Sequence, residues 1–208
     1  MLQLLFAPTS PFVRKVMVCA HLTGQAANIR LLDSAAHPVR RDPRIAAHNP
    51  LAKVPTLILE DGQALYDSRV ICEYLVAQAG AGAIFPVSGS ERWTALTRQA
   101  LGDGLLDAAL LARYELTARP VQVQWPTWRE ALLTKVGACL VAIEAIASDL
   151  RDRDPTIGEI TIGCALGYLD FRFPELDWRA RCPDASRWDA AFQDLPAMRA
   201  TRPYEAKT

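Results

Sequence analysis

Thr9-Ser10-Pro11-Phe12-Val13-Arg14-Lys15 follows a short apolar run, Leu2 to Phe6, and opens an amphipathic segment that ends near Gly24. The order reads as a strand, a tight loop and a helix N-terminus. Proline at the first helical position is pre-organised for the helix, and serine just before it is a favoured N-cap, so the helix begins at Ser10 or Pro11. Ser10 therefore has a structural reading as a cap. A functional reading stands beside it. Arg14 and Lys15 fall in or just after the first turn, where the helix dipole favours acids over cations. This end gathers positive potential without an evident stability motive, and a hydroxyl there faces an anion site.

Working outward, Asn28-Ile29-Arg30-Leu31-Leu32 is a second short strand, which with the first makes a strand-helix-strand unit and so a parallel pair. The segment from Asp33 to His48 is polar, basic and proline-punctuated, with room for a short helix around Pro43 to Ala47; His37 reads as a loop residue. Val54 to Glu60 is an apolar strand, and Asp61-Gly62 before Gln63-Ala64-Leu65-Tyr66 is a hairpin signal. A proline at position 55 removes a ladder donor, which suits an edge or a special turn. Asp67-Ser68 begins the next helix, which carries Val70, Ile71, Tyr74 and Leu75 on one face.

Gly80 to Ser90 interrupts the periodicity with Gly, Ala, Pro and Ser and marks a linker. Beyond it everything is helical. Trp93, Leu96, Thr97, Ala100, Leu101, Gly104, Leu105, Ala108 and Leu111 repeat at helical spacing, as do Trp128, Leu132, Val136, Leu140, Ile143, Ala147 and Leu150. Asp103 sits between two glycines, whose place in a helix interior is explained by close helix packing. Thr156-Ile157-Gly158-Glu159 fits the capping-box pattern, with Pro155 and Ile160 placed as a staple. Ile160 to Leu169 has no charge, which predicts a helix buried on all sides. Trp178, Trp188 and Phe192 follow in a tail expected to wrap the helical domain.

At 208 residues, half of them hydrophobic, the chain can bury a real core. Lys plus Arg and Asp plus Glu are equal at 23 each, so no global field points to nucleic acid or an acidic membrane. The apolar start lacks a charged leader and is too short to span a bilayer, so the expectation is an untargeted cytoplasmic protein. Cys19, Cys72, Cys139, Cys164 and Cys182 are widely spaced with no Cys-x-x-Cys, which suggests neither a disulfide framework nor a zinc site.

Ser10-Pro11-Phe12-Val13-Arg14-Lys15-Val16 resembles the first helix of soluble glutathione transferases of the serine type. Asn49-Pro50-Leu51-Ala52-Lys53-Val54-Pro55-Thr56-Leu57, Asp67-Ser68-Arg69-Val70-Ile71-Cys72-Glu73-Tyr74-Leu75 and Pro155-Thr156-Ile157-Gly158-Glu159-Ile160 agree with it in order and spacing. Gly102-Asp103-Gly104-Leu105-Leu106-Asp107-Ala108 and Gly167-Tyr168-Leu169-Asp170-Phe171-Arg172 resemble a bacterial subgroup. The resemblance covers the whole chain.

It implies a thioredoxin-like α/β domain over 1–80, a linker over 81–90 and an all-α helical bundle over 91–208. The implied protein is a cytoplasmic homodimer that joins the thiolate of glutathione, its co-substrate, to a small electrophile in a detoxifying role, with no metal, nucleic acid or membrane partner. The Ser10 hydroxyl would bond the glutathione sulfur, with Thr9 as the alternative donor because some relatives use the residue two before the proline. A cis Pro55 would turn the Val54 backbone toward the cysteinyl main chain, with Lys53 near the glycine carboxylate. Ser68 and the first-turn amides would hold the γ-glutamyl carboxylate. Asp67, where the family has Glu or Gln, would reach less far toward the γ-glutamyl amine. Asp103 keeps two readings, helix packing and a contact across the dimer to the partner's γ-glutamyl amine. Tyr114, Trp125 and Trp128 are candidates for the second-substrate pocket. No cysteine occupies position 9 or 10, which argues against the family's disulfide-reducing branch. Two other functions share the implied site: a glutathione binder or regulatory protein without turnover, and a glutathione-dependent peroxidase, lyase or isomerase.

Overall fold

The computed structural model describes residues 1–34 and 36–205. Ala35, inside the proline-punctuated segment, and residues 206–208, at the end of the expected helical domain, lie outside the described residues. The chain divides into two compact units, one formed by residues 1–85 with the chain from Pro196 onward, the other by residues 86–195.

In the first unit, β1 (Leu2–Phe6) leads through a turn into α1 (Pro11–Leu22), and β2 (Ile29–Asp33) returns parallel to β1, with Leu4 opposite Leu31. A one-turn helix, α2 (Pro43–Ala46), precedes the antiparallel hairpin of β3 (Thr56–Ile58) and β4 (Ala64–Leu65), and α3 (Ser68–Ala79) follows. The sheet order is β2-β1-β3-β4, with β1 and β3 antiparallel. This is the thioredoxin-like arrangement. Because side chains alternate across a strand, Leu5 and Ile58 pack with Ile45 of α2 on one face. Leu4 and Leu57 point to the other face, where α3 packs on β3 and on α1. β3 is shorter than the apolar run from Val54 to Glu60: Pro55 has no donor for the ladder, and Leu59 already turns, its amide bonding the Gln63 carbonyl at 2.8 Å.

The second unit is helical: α4 (Gly89–Thr117), α5 (Pro126–Ala145), α6 (Ile157–Arg172), α7 (Trp178–Arg181) and α8 (Pro183–Gln193). α6 is buried on all sides through its first ten residues, and α4 packs against both α5 and α6. The expected α5 stripe is buried from Leu132 to Leu150, with Trp128 left partly exposed. The α4 stripe is rotated in part from the one expected: Leu105 and Ala108 are buried as expected, but Trp93, Thr97, Ala100, Gly104 and Leu111 face outward, while Ala95, Gln99, Gly102, Asp103, Leu106 and Ala109 face inward. Close approach decides this. A Cβ on Gly102 would stand 2.8 Å from the Thr161 methyl of α6, so the small residues, not the large ones, mark the contact face.

The last helix, α9 (Pro196–Ala200), packs on α1 and belongs with the first unit. The expected helical domain over 91–208 therefore loses its final stretch to the first unit. The physical reason is visible at α1, where the Arg14 Nη2 donates to the Met198 carbonyl at 3.2 Å. Arg14 and Lys15 are both buried, so they do not form an open positive field at the helix start, as the sequence suggested.

Candidate functional site

Three segments leave one end of the sheet. β1 runs antiparallel to β3, so the C-terminal end of β1 lies beside the start of β3, as Leu5 opposite Thr56 records. β4 runs antiparallel to β3 in turn, so its exit also lies at that end, Leu65 opposite Leu57. The topology thus gathers the loop before α1, the chain before β3 and the start of α3. These carry Thr9 and Ser10, Lys53 to Pro55, and Asp67 with Ser68.

Ser10 is the N-cap of α1, with Pro11 in the first turn. Its Oγ accepts from the Val13 amide at 3.3 Å. A hydroxyl has one proton to give and two lone pairs. Among the described residues nothing takes that proton, and the half-buried Thr9 hydroxyl is likewise unpartnered. The cap and a donated hydrogen bond are therefore compatible, using different parts of one group.

The chain before β3 is shaped by Asn49, which sequence reasoning passed over. Asn49 is buried, and its Nδ2 donates to the Lys53 carbonyl at 3.2 Å and to the Thr56 hydroxyl at 2.9 Å. Its Oδ1 accepts from the Leu51 amide at 2.9 Å, and Thr56 Oγ1 returns a bond to the Lys53 carbonyl at 2.9 Å. Between these anchors Ala52 takes a positive φ of 51°. Val54-Pro55 is cis, as the resemblance implied. The Val54 amide and carbonyl make no hydrogen bond among the described residues, and the Lys53 side chain is exposed. The signal in the sequence was the pairing of Asn49 with Thr56, a buried amide answering a buried hydroxyl across the loop.

At α3, Asp67 is the N-cap, its Oδ1 accepting from the Arg69 amide at 3.0 Å, and the carboxylate is largely exposed. Ser68 is the first helical residue, buried, with a hydroxyl unpartnered among the described residues. One carboxylate thus already caps the first turn while the neighbouring hydroxyl remains open.

The remaining candidates lie in the second unit. Asp103 is 3% exposed, on the α4 face that packs inward, beside Gly102. Tyr114 is half-buried; burial pushes its phenol pKa up, and the charge of Arg113 lowers it. Trp125 and Trp128 are exposed, and the Trp125 amide is tied to the buried Glu115 carboxylate at 2.6 Å, which fixes the connection from α4 to α5. All five cysteines are free thiols, and burial raises the pKa of Cys139 and Cys182. Among the described residues no three His, Cys, Asp or Glu side chains cluster as a metal site. Among the described residues no helix is long and apolar enough to cross a membrane.

The family model described as glutathione S-transferase, N-terminal domain, matches residues 9–78, and the one described as glutathione S-transferase, C-terminal domain, matches residues 126–188. The chain belongs to the glutathione S-transferase family. It is similar to the uncharacterized GST-like protein YibF of Escherichia coli, 33% identical over 172 residues that cover 82% of this chain and 83% of that protein. A glutathione transferase family member from Pseudomonas fluorescens Pf-5, solved with bound glutathione, is 43% identical with a TM-score of 0.95, covering 99% of this chain and 100% of that one. A structure from the same organism with bound S-(propanoic acid)-glutathione is 42% identical with a TM-score of 0.90, covering 98% and 100%.

Proposed function

We propose that this protein is a serine-type glutathione transferase that joins the glutathione sulfur to a small electrophile. The observation that carries the reading is the Ser10 hydroxyl, fixed at a helix start by the Val13 amide while its own proton is given to no described residue. The glutathione-bound relatives support the co-substrate, and the conjugate in one of them is of the kind this reaction makes.

The required effect can be sized. A free thiol with pKa about 8.5 is a few per cent thiolate at neutral pH. Lowering that pKa by about two units needs roughly 2.7 kcal/mol of preference for the anion. A helix terminus supplies about 0.3 to 1 kcal/mol, and a hydrogen bond to a charged acceptor roughly 1.5 to 3 kcal/mol. The helix terminus alone falls short and the hydrogen bond reaches the need only at the top of its range; together they cover it. The thiol proton leaves to solvent, the sulfur lone pair forms the carbon–sulfur bond, and a leaving group departs with its own bonding pair. Val54 would pair with the cysteinyl main chain, Lys53 with the glycine carboxylate, and Ser68 and the α3 amides with the γ-glutamyl carboxylate. Asp67 would meet the γ-glutamyl amine.

We further propose a symmetric cytoplasmic homodimer with a detoxifying role. The outward face of α4 supports a second copy, because it leaves Trp93 67% exposed. Asp103, buried on the inward face of α4, takes the packing reading in that assembly. Gly102 is taken by α6 of the same chain, so it is not part of the contact between copies.

The test is conjugation of a model aryl or alkyl halide to glutathione by the protein and by Ser10→Ala and Thr9→Ala. Turnover at neutral pH falls at least tenfold in Ser10→Ala with glutathione affinity little changed. Wild-type turnover in Ser10→Ala with loss in Thr9→Ala moves the role to Thr9. Glutathione binding with no conjugation of any electrophile would make the protein a binder.

A further inference from the structure

The first turn of α1 carries a charge that its own dipole opposes. An acid suits a helix N-terminus and a cation a C-terminus, yet Arg14 is buried one turn after the Ser10 cap, at 6% exposure. Its side chain reaches another helix. The Nη2 donates at 3.2 Å to the carbonyl of Met198, in the last turn of α9, which ends at Ala200. Last-turn carbonyls lack a regular partner within their helix and carry the negative end of its dipole. The cation that α1 disfavours is therefore suited to α9. The Met198 carbonyl also takes longer bonds from the Thr201 amide and hydroxyl, at 3.4 and 3.3 Å, both uncharged donors. Ala197 and Met198 are buried, and α9 packs on α1.

The backbone of the same arginine bears on Ser10. The Arg14 amide donates to the Ser10 carbonyl at 3.0 Å, the first hydrogen bond of α1. The bond from the Val13 amide to Ser10 Oγ is 3.3 Å, longer than the ordinary value of about 2.9 Å. The hydroxyl is thus placed by the backbone that carries it more than by its own cap. One residue joins that backbone to α9: its amide holds Ser10, and its guanidinium holds a carbonyl 184 residues further on. Placement matters here, because a group that must meet a reacting atom loses much of its effect when displaced by about 1 Å.

We propose that α9 is a clasp on the start of α1, closed by Arg14, and that Arg14 is a positioning residue for the Ser10 hydroxyl as it stabilises the thiolate. The part that concerns the thiol rests on the transferase reading; the clasp does not.

Amide hydrogen exchange in the full-length protein, followed by NMR without glutathione, tests the clasp. Arg14→Met keeps an apolar stem and removes the charge and its donors. Ala197→Glu disturbs the clasp from α9 and leaves the sequence of α1 unaltered, so it reads the same amides where Arg14→Met fails to fold. In both variants the amides at positions 13 and 14 exchange roughly tenfold faster while those of β1 and β3 keep their rates. Arg14→Lys, which keeps a cation and a donor for the α9 carbonyl, restores most of the protection, whereas a packing role would be served as well by methionine. Unchanged exchange at positions 13 and 14 in either variant, or Arg14→Lys no better than Arg14→Met, overturns the clasp.

The bound thiol then tests the positioning role. Its pKa rises by about half a unit in Arg14→Met and in Ala197→Glu. Measured below the wild-type thiol pKa, kcat falls about threefold, while the KM for glutathione changes by less than about twofold because Lys53, Val54 and Ser68 are untouched. A wild-type thiol pKa in variants whose first-turn amides exchange faster overturns the positioning role and leaves the clasp standing. A thiol that titrates near its free value of about 8.5 in the wild type itself overturns the transferase reading, and the exchange rates still decide the clasp.

Discussion

At the start of α6 the Thr156 hydroxyl accepts from the Gly158 amide at 3.2 Å and donates to the Glu159 carboxylate, which also accepts from the Thr156 amide at 2.9 Å. At the start of α1 the Ser10 hydroxyl accepts from the Val13 amide at 3.3 Å and gives its proton to no described residue. One position decides how much of each hydroxyl is used. The third helical residue is Glu159 in α6 and Val13 in α1. An acid there closes the hydroxyl into a capping box, and an apolar residue leaves it half used. A helix start spent wholly on folding and one with a proton in reserve can thus be told apart by their own hydrogen bonds.

Breaking the closed cap gives the largest effect on stability. Glu159 is fully buried and bonded to Arg98 Nη1 at 2.7 Å, so Glu159→Ala strands a largely buried guanidinium as well as opening the box. We expect a loss of about 3 kcal/mol in urea unfolding, with glutathione binding retained in what remains folded.

A third hydroxyl sharpens the contrast, because the burial of the Tyr168 side chain, 3% exposed, acts on its proton. It keeps its proton in the folded protein up to about pH 12, whereas an unfolded phenol ionises near pH 10. Between those values the unfolded chain holds one proton fewer than the folded one. Stability from this group is therefore complete below about pH 10 and declines by about 1.4 kcal/mol per unit as pH rises toward 12. Tyr168→Phe removes that slope, and an identical alkaline decline in both proteins would contradict it.

Asn49 is an amide with both ends engaged. Asn49→Ala should cost about 2 kcal/mol of stability and raise the KM for glutathione more than it lowers kcat, because it loosens the chain around Lys53 and Val54. An unchanged KM would detach Asn49 from the site. Thr156→Ala, which removes the cap but leaves the Arg98 pair, is the smallest change, about 1 kcal/mol, read as a shift in denaturation midpoint.

Local chemistry was what the sequence made legible. The Ser10-Pro11 start, the Thr156 and Glu159 box and the Asp61-Gly62 hairpin each depend on residues within a few positions of one another, and each stands as read. Features set by distant chain were not. The α4 stripe was misplaced outside Leu105 and Ala108 because periodicity weighs large apolar side chains, whereas the contact with α6 is made by Ala and Gly faces. The burial of Arg14 depends on Met198, which lies 184 residues further on. The glutathione residues were named through family resemblance; the residues by themselves offered helix caps and an unusual proline.

If the spare proton of Ser10 stabilises a thiolate, the pKa of enzyme-bound glutathione, followed by thiolate absorbance in wild type and Ser10→Ala, records it directly. The wild-type thiol should titrate about two units below its free value near 8.5, and Ser10→Ala should raise it by a unit or more, about 1.4 kcal/mol per unit. Part of the lost turnover should return at higher pH. A bound thiol that titrates identically in both proteins would mean that Ser10 is a cap and nothing else.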